Sequence, residues 1–459
     1  RRDGSAKQTM RAHLLRVGDL MAAYAAGIGL SSTARLIGIL HDLGKCTAEF
    51  AEYLDWCRKH PGDYSRRGEV DHATAGGQLL LQRYGTVGEN ERLTAQMAAL
   101  VIFSHHSGLM NYLGEDGKSD FLRRMEKKEV PQPDLTYYYE NVIAESKLDF
   151  LFQEAVREFS ALDAKIVAHT TEGSEAYFFS WGMVHKLLLS MLVDADRLDS
   201  AEFELGEPLA RVWETSVIWK DFADKLEQKI ASFSMPHTPK EKKIATLRQE
   251  ISDDCLRAAQ HPSGVYRLSV PTGGGKTFAS MRFALRHAQE HQKKRIIVVI
   301  PYTSIIDQNV REVRAVFQMD EAILEHHSNV IEEDAGEDTE SMDVRRILTE
   351  RWDVPVIFTT QVQFLNTLFA DGNTPLRRLH SLRDSILIFD EIQTLPVRCT
   401  YLFNAAMNFL KNVCNVTAVL CTATQPPLAR LDFPIETSER AELTSNTAEL
   451  FEGFRRGWL

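Results

Sequence analysis

RLSVPTGGGKTFASM (Arg267–Met281) decides the fold of half this chain. Val265–Val270 is a short β-branched run, the glycines Gly273, Gly274 and Gly275 follow it, and an amphipathic helical stretch begins at Lys276. A strand that turns on glycine into a helix aims successive backbone N–H groups, and the positive end of the helix, at one point. That is the setting a polyanionic phosphate requires. Thr272 and the glycines would line the loop, Lys276 would reach the terminal phosphates of a nucleotide, and Thr277 would hold magnesium.

Further runs of this kind lie at Ile296–Ile300, Val356–Thr359, Ile386–Phe389 and Thr417–Cys421, with helical stretches between them. Strands alternating with helices predict a parallel sheet covered on both faces. Ligands gather at the carboxyl ends of such strands, and two short motifs sit there. DEIQ (Asp390–Gln393) follows the apolar Ser385–Phe389; Asp390 suits a second magnesium ligand, and Glu391 would orient or deprotonate the attacking water. CTAT (Cys421–Thr424) closes the next run, where its hydroxyls could sense a terminal phosphate. Either motif alone says little. After a phosphate loop, each at a strand end and in this order, they mark an ATPase lobe over about residues 246–430. The acidic stretch Glu332–Asp343 reads as an exposed loop, and residues 232–245, with two prolines and a lysine run, read as a linker.

Upstream of that linker nothing alternates as a strand does, so residues 1–231 read as all α. Met10, Leu14, Val17, Met21 and Tyr24 recur at helical spacing within residues 6–26, with His13 beside the stripe. Gly27 and Gly29 stop this helix, and Ser31 or Ser32 can cap the next. Leu36, Ile37, Leu40 and Leu43 then bury a helix that delivers HDLGK (His41–Lys45), with Gly44 as its C-terminal cap. Further helices are expected over about Ala48–Lys59, from His72 through Tyr84, from Asn90 to His106 and over 176–193. Residues 111–150 read as charged and irregular, with Arg123, Arg124, Lys127 and Lys128 on a solvated face, a DNA-facing role being the second reading of that cluster.

An imidazole beside a carboxylate at the end of an apolar helix is costly to bury without a partner. His41-Asp42 has company of the same kind: His13, His72 in DHATAG, His105-His106 in HHSG and Asp196 in DADRLDS. Neutral nitrogen donors, with an anionic oxygen that can bridge two ions, suit first-row transition metals. His185 reads as a core histidine. His326-His327 lack accompanying acidic islands and read as a poor metal site.

At 459 residues the chain has room for two or three domains. Its 44% apolar and 25% charged residues are ordinary for a soluble globular protein. A net charge of -11 excludes nucleic-acid binding by overall attraction, so basic patches and metal ions would have to supply it. Cys46, Cys57, Cys255, Cys399, Cys414 and Cys421 form no CxxC pair and predict reduced, mostly buried thiols in a cytoplasmic protein. No apolar run approaches bilayer-spanning length and no signal-peptide core opens the chain, so no membrane partner is expected.

HDLGK, HHSG, DADRLDS, VPTGGGKT, IPYTSIIDQ (Ile300–Gln308), FTTQVQFL (Phe358–Leu365), DEIQ and CTAT together cover essentially the whole chain. In this order they resemble the CRISPR-associated HD nuclease-helicases, the DNA-degrading effectors of type I systems. The phosphate loop fits that class: Val270 stands where GxxxxGK[ST] wants glycine, as in the shorter Pro-Thr-Gly form of superfamily 2 helicases. The resemblance implies an all-α HD domain (1–231) followed by an α/β RecA-like P-loop domain (246–430). Two divalent transition-metal ions (Mn, Fe, Co or Ni) would occupy the first, and ATP with Mg the second. By that likeness His13, His41, Asp42 and Asp196 hold one ion, and Asp42, His72, His105 and His106 the other, with Asp42 bridging. Asp194 competes with Asp196 for the last position. Lys45 would steady the scissile phosphate. Tyr302, Thr303, Thr359, Thr360 and Gln361 fall in the motifs that grip single-stranded DNA, which the family pulls 3′ to 5′ with ATP. The implied partners are that DNA and the type I RNA-guided surveillance complex, with a phage-encoded inhibitor as a further candidate. The family also has a second RecA-like domain with arginine fingers. About 35 residues follow CTAT, so residues 431–459 are expected to begin the connection to a lobe this chain lacks.

The expectation is a metal-dependent nuclease on single-stranded DNA coupled to ATP-driven translocation, with Asp42, Lys45 and Glu391 as catalytic residues. One rival is an HD phosphohydrolase acting on nucleotides, its ATPase lobe regulatory; presenting DNA and nucleotides separately distinguishes them. Another is a non-enzymatic docking module, which would hold zinc in a closed site.

Overall fold

The computed structural model describes residues 6–60, 62–63, 65–66, 68–114, 116–233, 236–327, 349–424, 426, 428, 431 and 433–454, with the backbone alone at 303–305. The stretch Glu332–Asp343 lies outside the described residues. The chain forms two compact units, Arg1–Ala210 with Ala370–His380, and Arg211–Phe369 with Ser381–Leu459. The units therefore do not divide at 231/232, and residues 370–380 leave the stretch read as a phosphate-loop lobe to join the first unit.

Among its described residues the first unit has helices and no strand. Over residues 1–210 these are, in order, α1 (Met10–Ala25), α2 (Ser31–Leu40), α3 (Ala48–Lys59), α4 (Ala75–Tyr84), α5 (Glu89–Ser104), α6 (Asp120–Met125), α7 (Leu135–Asn141), α8 (Glu145–Val167) and α9 (Glu175–Leu205), and residues 370–380 add one short helix, Asn373–Leu376. Thr9 caps α1 through its hydroxyl, which accepts from Ala12 N. Leu14, Val17 and Met21 on α1 and Leu36, Ile37 and Leu40 on α2 are fully buried. Between these helices Gly18 meets Gly38: a Cβ on Gly38 would lie 2.7 Å from the Gly18 Cα. That approach fixes the helix bearing His13 against the helix bearing His41. Gly38→Ala is expected to destabilise the unit by about 1–3 kcal/mol through overpacking against backbone that cannot yield. Thermal unfolding of the parent and variant checks this.

Several local expectations need correction. Neither Ser31 nor Ser32 caps α2. The Glu158 carboxylate of α8 does, accepting from Ser32 N and Thr33 N at 2.8 Å each, a negative charge at the positive helix end. Gly44 is not a helix cap but lies in a 3-10 turn, Leu43–Lys45. It is small because a Cβ there would sit 2.6 Å from the His72 Cα. His72 precedes α4 instead of opening it, and His105-His106 follow α5 in a turn. Residues 111–150 contain α6, α7 and the start of α8. Arg124 and Lys127 of the basic cluster pair with Asp71. The last helix does not stop near 193 but carries Asp194, Asp196 and Asp199 within its span. Helix α9 is also long and apolar enough to cross a membrane, contrary to the expectation that no run is. Yet 56% of its most apolar window is buried inside the protein, as in the core helix of a globular unit.

The second unit is built on six parallel strands in the order β1-β6-β5-β2-β4-β3. They are β1 (Val265–Ser269), β2 (Arg295–Ile300), β3 (Ile323–His326), β4 (Val356–Thr360), β5 (Ser385–Phe389) and β6 (Thr417–Thr422). The short β3 was not anticipated. Every residue of β4, β5 and β6 is buried, which is the signature of a sheet covered on both faces. Ser269 aligns with Thr422, Phe389 with Val299, and Ile300 with Thr360, so the carboxyl ends of the strands finish level. Helix α10 (Thr215–Ala231) and helix α11 (Pro239–Ala258) belong to this unit, leaving only Ser232–Thr238 between them as connection. Thr238 and Glu241 form a capping box that starts α11 at Pro239. The segment after CTAT does not leave the lobe: Ala441 O accepts from Arg267 N at 2.7 Å, and Leu443 N donates to Arg267 O at 2.9 Å. This backbone pairing covers the outer edge of β1.

Candidate metal centre and nucleotide site

Four parts of the first unit converge on the Asp42 carboxylate, which is 1% exposed. Helix α1 brings His13, the turn after α2 brings His41 and Asp42, the turn after α5 brings His105, and α9 brings Asp196. His13 Nε2 lies 3.4 Å from Asp42 Oδ2 and 3.4 Å from Asp196 Oδ1. His41 Nε2 lies 3.2 Å from Asp42 Oδ2 and 3.8 Å from Asp196 Oδ1. The other carboxylate oxygen, Asp42 Oδ1, faces His105 Nε2 at 3.6 Å. Donor atoms of His13, His41, Asp42 and Asp196 all fall within 4.8 Å of one another, and so do those of Asp42, His72 and His106. His72 Nε2 and His106 Nε2 are 2.8 Å apart. Asp42 thus sits between two donor sets, one oxygen toward each.

Asp194 goes elsewhere. Its Oδ1 accepts from Nε and Nη2 of Arg377 at 3.1 and 3.0 Å. Two residues along a helix is a rotation of about 200°, so Asp196 faces His13 while Asp194 faces away.

Four buried polar atoms in this cluster have no hydrogen-bond partner: His13 Nε2, His41 Nε2, Asp42 Oδ1 and His105 Nε2. Groups that deeply buried are ordinarily paired. The opposite ring nitrogens are all engaged. His41 Nδ1 meets Gly38 O at 2.7 Å, His105 Nδ1 meets Ile102 O at 2.7 Å, and His13 Nδ1 meets Asp199 Oδ2 at 2.6 Å. An acceptor at Nδ1 fixes each ring and turns Nε2 into the cluster, the arrangement that orients metal-ligating histidines. The donor set therefore fits divalent transition metals. Asp199, which Gln8 also donates to at 2.7 Å, was not singled out from the sequence. Its signal was its place three residues after Asp196 in DADRLDS.

The field in the cluster is strongly negative. Burial opposes a charge on His41, but Asp42 and Asp196 outweigh it and raise its pKa to about 10. Burial likewise works against the Asp42 carboxylate, yet His41 and the Lys45 ammonium hold it well below the usual carboxylate range. Lys45 forms an ion pair with Asp42 Oδ2. At the more open side, burial and the neighbouring His105 push His106 down to about 3.

In the second unit, the loop after β1 turns through Gly273 and Gly275, at φ +84 and +83, into helix α12 (Lys276–Glu290). Only glycine enters that backbone region without strain. Arg248 Nε ties the loop from α11, donating to Gly273 O at 2.9 Å. The Lys276 ammonium pairs with Glu391, and Gln393 Nε2 donates to the same carboxylate at 2.6 Å. The buried Thr422 hydroxyl bonds Gln393 in turn. One polar chain thus joins the phosphate loop, DEIQ and CTAT across the ends of β1, β5 and β6. Glu391 adopts a left-handed backbone, φ +47, a conformation that costs a non-glycine residue energy and clusters at functional sites. Burial pushes the Asp390 carboxyl up, against the pull of Lys276.

The residues assigned to strand gripping are unequal. Tyr302 is 58% exposed, and the Thr303 side chain lies outside the described atoms. Thr359, Thr360 and Gln361 are buried and engaged internally. Thr359 Oγ1 donates to His326 O at 3.1 Å, Thr360 Oγ1 accepts from Gln363 N at 3.1 Å, and Gln361 Nε2 donates to Thr394 Oγ1 at 2.9 Å. They brace from within the direct passage from β4 into the helix that begins at Gln361. His327 does meet acids, contrary to expectation: Glu325 Oε1 at 2.9 Å and Asp307 Oδ1 at 3.6 Å. Folding brings Asp307 there from helix α13 (Thr303–Phe317). His185 is half-buried and bonds Trp181 O at 2.7 Å through Nδ1.

Residues 10–201 match the HD domain family and residues 245–431 the DEAD/DEAH box helicase family. No curated protein matches the chain. Three solved structures show what the fold is similar to. Cas3 of T. fusca with AMPPNP has a TM-score of 0.53 at 15% identity, covering 92% of this chain and 49% of that one. T. fusca Cas3 alone gives 0.53 at 14%, covering 91% and 48%. A structure described as a CRISPR-associated protein gives 0.52 at 14%, covering 92% and 50%. The chain spans about half the length of these solved structures, and what it shares with them is the fold.

Proposed function

We propose that this chain, an HD domain joined to a DEAD/DEAH box helicase domain in the fold of Cas3, is the nuclease and first motor lobe of a type I CRISPR nuclease-helicase. It cuts single-stranded DNA with divalent metal and belongs to an ATP-driven motor that moves 3′ to 5′. It acts in the cytoplasm beside the RNA-guided surveillance complex. The observation that carries the reading is the convergence of unpartnered donor atoms, His13 Nε2, His41 Nε2, Asp42 Oδ1 and His105 Nε2, on one buried point.

His13, His41, Asp42 and Asp196 would hold one ion, and Asp42, His72, His105 and His106 the other. When bound, such a pair activates water for in-line attack and stabilises the leaving oxygen of a phosphodiester. The protein's own residues do the rest. Asp199, Gly38 O and Ile102 O keep three imidazoles turned inward. Lys45 is the cation closest to the cluster and would take a non-bridging phosphate oxygen. In the motor lobe, Lys276 would exchange Glu391 for the β- and γ-phosphates, releasing Glu391 to orient water, while Asp390 and Thr277 hold magnesium. Tyr302 would stack on or hydrogen-bond the strand.

Elemental analysis after loading with Mn, Fe, Co or Ni is expected to give two ions per chain, with cleavage of single-stranded DNA that a chelator stops. A single tightly held zinc with no cleavage would instead make the first unit a docking module. Hydrolysis of nucleotides but not of DNA would make it a phosphohydrolase.

A further inference from the structure

We propose that residues 370–380, through Arg377, are positioning elements of the metal centre; this rests on the metal-site reading above. The segment clasps the two elements that supply ligands from the far side of the cluster. Along α9 it engages every fourth residue. Lys186 Nζ donates to Ala370 O at 3.0 Å, Ser190 Oγ donates to Leu376 O at 2.6 Å, and Arg377 grips Asp194. Positions 186, 190 and 194 form one stripe of a helix, and Asp196 projects from the opposite side. Whatever fixes the rotation of α9 about its axis therefore fixes where Asp196 points. At the turn after α5, Asn373 Nδ2 donates to His105 O at 3.2 Å. Gly108 there approaches the Asp371 carbonyl so closely that a Cβ would lie 2.5 Å from it. One stretch of chain thus holds the backbone of His105 and the helix of Asp196 together.

Arg377 is the centre of that hold. It is 1% exposed, and Asp194 is fully buried. Two Arg377 bonds go to one carboxylate oxygen, and His380 Nε2 stands 3.6 Å from the other. A buried pair of this kind is weak evidence of stability but fixes register well, and register is what a ligand two residues away requires. The segment is continuous in the chain with FTTQVQFL before it and DEIQ after it, so the ATPase sequence supplies part of the framework of the metal centre.

The test uses the full chain, with Mn(II) as probe. Arg377→Met is expected to weaken Mn(II) binding at least tenfold by calorimetry and to alter the electron paramagnetic resonance spectrum of the bound pair, with nucleotide binding unchanged. Arg377→Lys keeps the charge but loses the fork geometry, and is expected to bind Mn(II) at intermediate strength. Arg377→Met combined with Asp194→Leu removes both buried charges; if only charge burial mattered, it would restore parental binding, and that result overturns the proposal. So does parental Mn(II) affinity in a folded Arg377→Met chain. Should Arg377→Met fail to fold by circular dichroism, the lysine variant decides: parental affinity and spectrum there overturn the proposal, and a loss supports it. A parent chain that binds no Mn(II) refutes the metal-site reading itself, and the proposal with it.

Discussion

An Asp42→Ala chain will cut single-stranded DNA at least about 10³-fold more slowly than the parent, because an electrostatic contribution of several kcal/mol is lost with the ion pair it should bridge. ATP binding will stay at the parental level. The reason is geometric: among the described residues Asp42 is the one carboxylate with an oxygen toward each donor set, Oδ2 toward His13 and His41 and Oδ1 toward His105. Removing any single histidine leaves the other set intact; removing Asp42 leaves neither complete. Asp42→Asn keeps the shape and is expected to be equally inactive, since an amide oxygen is a poor bridge between cations. Rates measured on a labelled single strand in saturating Mn(II), beside a nucleotide titration, decide the matter. Cleavage at parental speed would mean the reacting ions are held elsewhere.

The second large effect concerns the phosphate loop. Lys276→Ala should weaken ATP binding by about 10- to 100-fold, the worth of a charge-assisted contact of ~1.5–3 kcal/mol. Metal-dependent cleavage of a short single strand without ATP should be unchanged. In the structure the ammonium already holds the carboxylate of Glu391, so the lysine lies at the end of β1 facing the end of β5 before any phosphate arrives. A fluorescent nucleotide titrated into both proteins measures the difference. Equal affinities would show that the glycine turn after β1 is not a nucleotide cradle.

What could be read from the residues follows how local the determinants are. The turn through Gly273 and Gly275 is written in a few adjacent letters, since only glycine takes that backbone cheaply. The strands β2, β4, β5 and β6 were legible from the apolar runs that burial on both faces demands, and β1 from the glycine turn that follows it. Strand β3, four residues including Glu325 and His326, has no such run. In the first unit the ligand types were visible because buried histidine and aspartate are uncommon. The choice between Asp194 and Asp196 was not, because it depends on Arg377, 183 residues further on. The same holds for the cap on α2, which comes from Glu158, more than a hundred residues along the chain. The acid that Asp307 offers His327 was not legible, because helix α13 brings it there only after folding. Positions decided by neighbours in sequence could be called; those decided by neighbours in space could not.

The composition of the first unit from two distant stretches has a consequence for synthesis. When residues 1–210 have left the ribosome, Asp194 is already in the chain but its guanidinium partner has not been made. The nascent N-terminal helices must wait for this contact until the strand-rich sequence between them and Arg377 has been translated. Contacts this distant in sequence slow folding, and they delay completion of the histidine-aspartate cluster's framework until residues 370–380 have been made.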